Sequence, residues 1–146
     1  MKRIVFVITT LIMLAPVAVL AEYISVKVPV ANIRSGPSET SDLLWKVEKY
    51  HPLFVLGKKG SWYHFRDFEG DEGWISDSLV GKDAAVITIR DDCNIRSGPD
   101  IKYDVLFTAE DGIPFKVLKK QGQWLNVVHE DGDRGWIHQS LVWPNE

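Results

Sequence analysis

The chain repeats itself at a spacing of 62 residues. The sequence Asn-Ile-Arg-Ser-Gly-Pro occupies residues 32–37 and again residues 94–99. When residues 32–80 are aligned with residues 94–142, 23 of the 49 positions are identical and no gap is needed. This unit is longer than the repeats of solenoid proteins. The repeat therefore predicts two small domains in tandem.

The repeat also predicts the domain boundaries. We expect the first domain at residues 22–81 and the second at residues 85–146, with residues 82–84 as the linker. So short a linker permits little independent reorientation. The two domains are therefore expected to lie side by side.

The secondary-structure signals within each copy are those of β-strands. Apolar and polar residues alternate over short runs, as at residues 87–89 and 115–118, and Gly, Asp and Pro interrupt these runs. Short strands with closely spaced turns predict an all-β fold, a small barrel of five or six strands, since closing the sheet removes its exposed edges. A domain of ~60 residues buries only ~60% of the surface of its extended chain, which leaves it little stability to spare.

The repeated motif reads as the end of a strand followed by a stiff turn. Pro37 cannot donate to a β-ladder and its ring fixes φ, so the strand must end there. Gly36 is expected to supply a positive φ. Gly98 and Pro99 repeat these two residues in the second copy. The motif is thus predicted to launch a long loop in each domain.

The N-terminus has the pattern of an export signal. Lys2 and Arg3 precede an apolar run at residues 4–20, and small residues stand before a cleavage point after Ala21. Residues 1–21 are therefore predicted to be a signal peptide, which implies an exported protein, periplasmic or extracellular, with no stable membrane anchor after cleavage. A retained anchor is the alternative, because the run is about long enough to span a thinned bilayer.

Charge and cysteine content exclude several classes of function. Beyond residue 21 the chain has 15 basic and 20 acidic residues, a net charge of −5, which argues against nucleic acid as a partner. The single cysteine, Cys93, takes the position of Ala31 in the repeat and is predicted to be a small buried residue. The alternative is a thiol nucleophile, which would need a histidine base nearby.

We expect neither a metal nor a cofactor. No histidine is spaced with another His or Cys as zinc ligands are, and the acidic runs at residues 67–72 and 130–133 lack the pattern of a calcium loop. The sequence also contains no glycine-rich phosphate loop. On these grounds we expect a protein that is not an enzyme.

The order of features resembles the bacterial Src-homology-3-like (SH3b) domain. Members of that family run from a strand ending in the Asn-Ile-Arg-Ser-Gly-Pro motif, through two apolar strands and a Gly-x-Trp strand, to a hairpin and a Gly-Trp-Ile segment. Here these features are residues 32–37, 53–56, 60–65, 67–73 and 73–80, and they recur 62 residues later. The resemblance implies two tandem SH3-like β-barrels that bind in the bacterial cell envelope. The expected ligand is peptidoglycan, through its stem or bridge peptides; the alternative is a protein–protein adaptor in an envelope complex, with no cell-wall affinity.

Aromatic residues that differ between the copies are the candidate ligand-binding residues, because aromatic rings bury a large area at low entropic cost. They are Trp45, Tyr50, Tyr63, Phe68, Tyr103 and Phe107. For Trp45 and Phe107 the alternative is inward packing. Arg34 and Arg96 are also candidates, since a guanidinium can grip a carboxylate with two hydrogen bonds; the alternative is that each ties down the loop that follows it.

Residues shared by both copies are expected to form the framework. They are Gly36, Pro37, Trp62, Trp74, Gly98, Pro99, Trp124 and Trp136. Trp62 and Phe65 are three residues apart, so a regular strand would place them on opposite faces. Either the strand contains a bulge or one of these two rings faces the surface.

Overall fold

The fold was taken from a computed structural model, which describes residues 2–12 and 21–145. Among these residues, fourteen strands form two separate seven-stranded sheets. The first sheet contains β1 (Tyr23–Val26), β2 (Val30–Arg34), β3 (Leu43–Glu48), β4 (Pro52–Lys59), β5 (Trp62–Arg66), β6 (Glu72–Ser76) and β7 (Val80–Gly81). The second contains β8 (Ala85–Thr88), β9 (Cys93–Arg96), β10 (Val105–Ala109), β11 (Pro114–Gln121), β12 (Trp124–Val128), β13 (Arg134–His138) and β14 (Val142–Trp143).

The two sheets have the same topology. Their strand orders are β3-β2-β6-β5-β4-β1-β7 and β10-β9-β13-β12-β11-β8-β14, and the pairing is antiparallel. Short 3-10 turns at Asp77–Leu79 and Gln139–Leu141 lead into the last strand of each sheet. The prediction of an all-β tandem fold is confirmed. Each sheet has seven strands instead of five or six because a two-residue strand returns to pair with the first strand of its own copy.

Each sheet curls around a core of its own. The first core takes buried residues from all seven strands, among them Ile24, Ile33, Phe65 and Val80. A single flat sheet could not shield such residues from water on its own, so the sheet must wrap around them. The second core is built likewise, with Phe115 as its largest fully buried side chain.

The repeated tryptophans lie outside these cores. Strand β5 pairs with β6 residue for residue, from Trp62 opposite Ser76 to Arg66 opposite Glu72, so it has no bulge towards β6. Phe65 therefore points inwards and Trp62 lies on the outer face. All four repeated tryptophans are half-buried on the outer faces of the sheets and belong to neither core cluster. That they are essential to the framework stays a prediction.

The two barrels touch each other at the linker. Strand β7 ends at Gly81 and strand β8 begins at Ala85. The Ser25 hydroxyl donates a hydrogen bond of 2.7 Å to the carbonyl of Asp83. The Tyr23 ring packs edge-on against Trp143, with 5.6 Å between the ring centroids. These contacts connect the first strand of barrel one with the linker and with the last strand of barrel two.

The N-terminal segment lies apart from both sheets. Residues 2–12 have no regular secondary structure, and their side chains are exposed. The predicted signal peptide includes residues 1 and 13–20, which lie outside the described residues, so it stays a prediction. Within the described ranges, the structure contains no helix with the length and apolar character needed to cross a membrane.

Candidate ligand-binding grooves

Both barrels have a groove at the same place, between the end of one strand and the acidic hairpin. Groove 1, about 350 Å³, lies between β3 and the β5–β6 turn of barrel one. Groove 2, about 250 Å³, lies between β10 and the β12–β13 turn of barrel two. Eight positions line both grooves. The equivalent pairs, with the groove 1 residue first, are Trp45/Phe107, Lys46/Thr108, Val47/Ala109, Glu48/Glu110, His51/Ile113, Asp67/His129, Glu69/Asp131 and Asp71/Asp133.

An aromatic ring forms one wall of each groove. The half-buried Trp45 packs edge-on against Phe65, with 6.4 Å between ring centroids. Phe107, which is also partly buried, packs against the core of barrel two. Both rings also line their grooves. Trp45 and Phe107 therefore each pack against the core on one side and face the groove on the other. Inward packing and a place at the groove do not exclude each other.

The acidic hairpin is held in shape by a side chain at its first position. In barrel one, Oδ1 of the buried Asp67 accepts hydrogen bonds from the amides of Glu69 (3.0 Å) and Asp71 (2.9 Å). Burial raises the pKa of Asp67. In barrel two the same turn is held by His129, whose Nδ1 accepts from the amide of Asp131 at 3.2 Å. Two different side chains thus fix one backbone shape, which places the acidic residues at the groove.

His51 is a groove residue that the sequence analysis did not single out. The residue is only 8% exposed, and its ring packs edge-on against Phe68, with 5.7 Å between ring centroids. Nε2 is shielded from solvent and has no hydrogen-bond partner among the described residues. Burial lowers the pKa of His51 from 6.5 to about 4. The repeat contains a sign that this position faces inwards, because the equivalent residue in the second copy is the apolar Ile113.

The charge at both grooves is negative. Glu48, Glu69 and Asp71 line groove 1 with a single lysine, Lys46. Groove 2 is lined by Glu110, Asp131 and Asp133. The pKa of Glu110 is raised, first by a hydrogen bond with Asp91 and then by the charge of Asp92. Such clefts attract cations, but no group of three or more potential metal ligands occurs among the described residues.

The remaining aromatic candidates are dispersed. Phe68 lines groove 1 together with Trp45. Tyr50 lies in the turn before β4 with a positive φ of 70°, and the Lys49 ammonium is 5.2 Å from its ring centroid. Tyr63 packs against the core of barrel one. Tyr103 is 39% exposed on the loop after the repeated motif. The structure thus brings two of the six candidates together at groove 1 and places Phe107 at groove 2.

Both candidate arginines hold the loop that follows them. Nη1 of Arg34 donates to the carbonyl of Ser41 at 3.1 Å. Nη1 of Arg96 donates to the carbonyls of Ile101 and Tyr103, both at 3.1 Å. Arg96 also borders a separate surface pocket of about 240 Å³ beside Trp124. A ligand contact by either arginine stays a prediction.

The glycine of the motif serves close approach instead of an unusual backbone conformation. The expectation of a positive φ at Gly36 is wrong, because neither Gly36 nor Gly98 is among the residues with positive φ. A Cβ at Gly98 would lie 2.6 Å from three atoms of the Tyr103 ring, which therefore rests directly on the glycine. At Gly36 the nearest atom is the Ser41 hydroxyl oxygen, 2.9 Å away.

We therefore expect Gly98→Ala to destabilise barrel two by about 1–3 kcal/mol, the usual range for overpacking. Gly36→Ala should reduce the stability of barrel one by less, because the small Ser41 hydroxyl can rotate away from the new methyl group whereas the bulky Tyr103 ring would clash with it. Adding Tyr103→Ser, which installs the residue of the first copy, should recover most of the loss at Gly98. Urea unfolding of the single and double variants measures this coupling; additive effects of the two substitutions would contradict it.

Cys93 is a buried structural residue. Its side chain is 1% exposed, and Sγ donates a hydrogen bond of 3.1 Å to the carbonyl of Arg90. Burial raises the pKa of the thiol, so little of the nucleophilic thiolate is present at neutral pH. The prediction of a small buried residue is confirmed.

The chain is similar to parts of longer proteins that are named as amidases. It is 25% identical over 122 residues to the Bacillus subtilis (strain 168) protein named "Putative N-acetylmuramoyl-L-alanine amidase YrvJ", covering 76% of this chain and 23% of that protein. It is 33% identical over 71 residues to the Staphylococcus epidermidis protein named "Probable cell wall amidase LytH", covering 46% of this chain and 24% of the relative. The chain therefore spans about a quarter of the length of these relatives.

Solved structures with partial similarity were also found. The structure of NlpC1 from Trichomonas vaginalis aligns with 88% of this chain and 48% of its own, at 10% identity and a TM-score of 0.39. An NlpC/P60 family protein from Bacillus cereus aligns with 83% of this chain and 55% of its own, at 13% identity and a TM-score of 0.40.

The relatives' names correct the expectation that this protein is not an enzyme. That expectation came from the absence of a readable catalytic motif. The relatives that match most or nearly half of this chain are named as amidases, and an enzymatic role is open to a protein with such relatives. The expectation is therefore withdrawn.

A family description also matches the chain directly, once for each copy of the repeat. The family is described as "Bacterial SH3 domain", and the matches cover residues 27–82 and 90–144. Together they cover more than half of the chain and most of both sheets. The chain belongs to the bacterial SH3 domain family, with two copies of the domain in tandem.

Proposed function

We propose that this chain is a cell-wall-binding module that holds peptidoglycan in grooves 1 and 2. The observation that carries the proposal is the duplicated groove, in which eight equivalent positions place an aromatic wall opposite an acidic hairpin. The names of the amidase relatives support a cell-wall ligand. An envelope or extracellular location accords with such a ligand.

Two grooves suit a repetitive polymer. The linker of three residues and the contacts around it hold the barrels close together. Once one groove is occupied, the second meets neighbouring peptides of the same wall at high effective concentration. Modest affinity at each groove would therefore give firm retention on an intact wall.

Pelleting of the purified protein with isolated sacculi tests the proposal. We expect wild-type protein to sediment with the sacculi. Trp45→Ala and Phe107→Ala should each weaken retention about 10-fold, and the double variant should remain in the supernatant, because loss of a buried aromatic contact typically costs over 1 kcal/mol of binding. Trp45→Phe, which installs the residue of groove 2, should retain most of the binding.

Leu118→Ala serves as the control, since Leu118 is exposed on β11 and lines neither groove. Circular dichroism of each variant verifies that it is folded. Wild-type protein that stays in solution would refute wall binding and favour a protein partner in the envelope. Full retention of the double variant would show that the grooves are not the binding sites.

A further inference from the structure

Groove 1 contains a buried polar side chain that groove 2 lacks. His51 in groove 1 corresponds to Ile113 in groove 2. His51 as a whole residue is more than nine-tenths buried, and its Nε2 has no hydrogen-bond partner within the part of the chain that the structure describes. A buried nitrogen without a partner is unfavourable. A ligand group that reaches Nε2 would supply the missing hydrogen bond.

The carboxylates of groove 1 are available to a ligand. Glu48, Glu69 and Asp71 are exposed and take part in none of the ion pairs formed by the described residues. Asp67 differs, because one of its oxygens is occupied by two backbone amides. Among the described residues that line the groove, Lys46 is the only basic one apart from the neutral His51. The free carboxylates therefore favour a cationic group.

The same groove favours an organic cation over a metal ion. No cluster of three potential metal ligands occurs among the described residues. One wall is the indole of Trp45, and tryptophan is the side chain whose ring face attracts cations most strongly. A primary ammonium fits both features, since it is attracted to an aromatic face and brings three N–H donors for oxygen and nitrogen acceptors.

We propose that groove 1 binds a primary ammonium group of the ligand's peptide against the Trp45 ring, with the carboxylates of Glu48 and Glu69 and Nε2 of His51 accepting its hydrogen bonds. The inference rests on the proposed function and specifies the group recognised, a free amine of the peptidoglycan peptides. Nε2 is shielded from solvent, so the proposal requires the Phe68 ring, which packs on His51 and lines the same groove, to move aside for the ligand. At pH 7 the His51 ring is neutral, because burial lowers its pKa to about 4, and Nε2 is an acceptor when Nδ1 holds the proton.

The test compares untreated sacculi with sacculi whose free amines have been acetylated with acetic anhydride. Binding is measured by pelleting in a Phe107→Ala background, which removes the contribution of groove 2. We expect acetylation to weaken retention about 10-fold. His51→Ile, which copies groove 2, and the pair Glu48→Gln with Glu69→Gln should each weaken retention on untreated sacculi several-fold and have little effect on acetylated sacculi.

Glu39→Gln is the control for the charge change, because Glu39 is exposed on the loop after the motif and does not line groove 1. No retention of the wild-type protein on untreated sacculi would refute the proposed function itself. Retention that depends on Trp45 but is unchanged by acetylation would refute only the ammonium inference. An equal loss in Glu39→Gln and in the groove double variant, or full retention by His51→Ile, would also overturn it.

Discussion

Replacing Phe65 by alanine is expected to lower the free energy of unfolding of barrel one by about 3–5 kcal/mol, the usual cost of truncating a buried phenylalanine. Phe65 is one of the two largest fully buried side chains, and it lies in the core of barrel one. It is the ring on which Trp45 packs, and a Cβ at Gly73 would lie 3.1 Å from its Cζ. The substitution therefore leaves a cavity beneath the wall of groove 1. A domain of ~60 residues has little stability in reserve, so most of barrel one should unfold.

Amide hydrogen exchange by NMR resolves the effect in each barrel. In Phe65→Ala we expect protection to be lost across β1–β7 and retained across β8–β14. Phe115→Ala is the matched control, because Phe115 is equally buried in the core of barrel two and should shift the loss to β8–β14. Wild-type protection in β1–β7 of Phe65→Ala would contradict the account of the core.

Acidification is expected to destabilise barrel one through His51. In the folded protein the pKa of His51 is about 4, against 6.5 for a free histidine. Between these values the unfolded chain binds a proton that the folded chain does not, so stability falls as the pH drops from 6.5 to 4. Above pH 6.5 both states are neutral and the effect is absent. A difference of this size corresponds to about 3 kcal/mol over the window.

The matched variant is His51→Ile, which carries the residue that barrel two has at this position. Urea midpoints of both proteins at pH 7, 6, 5 and 4 measure the effect. The wild type should lose about 3 kcal/mol more than the variant. Asp67 has the opposite effect on stability. Burial raises its pKa, so its protonation as the pH falls favours the folded state. Glu48, Glu69 and Asp71 also line the groove, and all four carboxylates are present in both proteins, so the comparison isolates His51. Parallel pH profiles would contradict the assignment.

The repeat was sufficient to predict the fold, because matching strands and turns in two copies leave few alternatives to a pair of small barrels. Spacing alone could not place Trp62, since its face depends on where the strand bulges. The register shift lies between Val55 and Gly57 in β4, not in β5, and this decides that Phe65 is the inward ring. The positive φ expected at Gly36 is not observed. A glycine is needed there because the following loop packs closely against it, and the local sequence does not reveal that contact.

The candidate site was only partly predictable. Trp45 and Phe107 were identified as aromatic candidates, but the sequence could not show that the acidic hairpin lies opposite them, since the two segments are some twenty residues apart and meet only through the sheet order. His51 was missed because histidine is only intermediate in its tendency to be buried, so the residue type alone does not predict an inward-facing side chain. Comparison with Ile113 predicts an apolar environment at that position, and this signal was present in the repeat.

Mapping a soluble peptidoglycan fragment onto the protein by NMR tests the central claim most directly. We expect titration with muropeptides to shift the indole N–H signal of Trp45 and the amides of Glu48, Asp71, Phe107 and Asp133, at both grooves. Shifts confined to the outer-face tryptophans and the loop of Tyr103, with the grooves unchanged, would contradict the account.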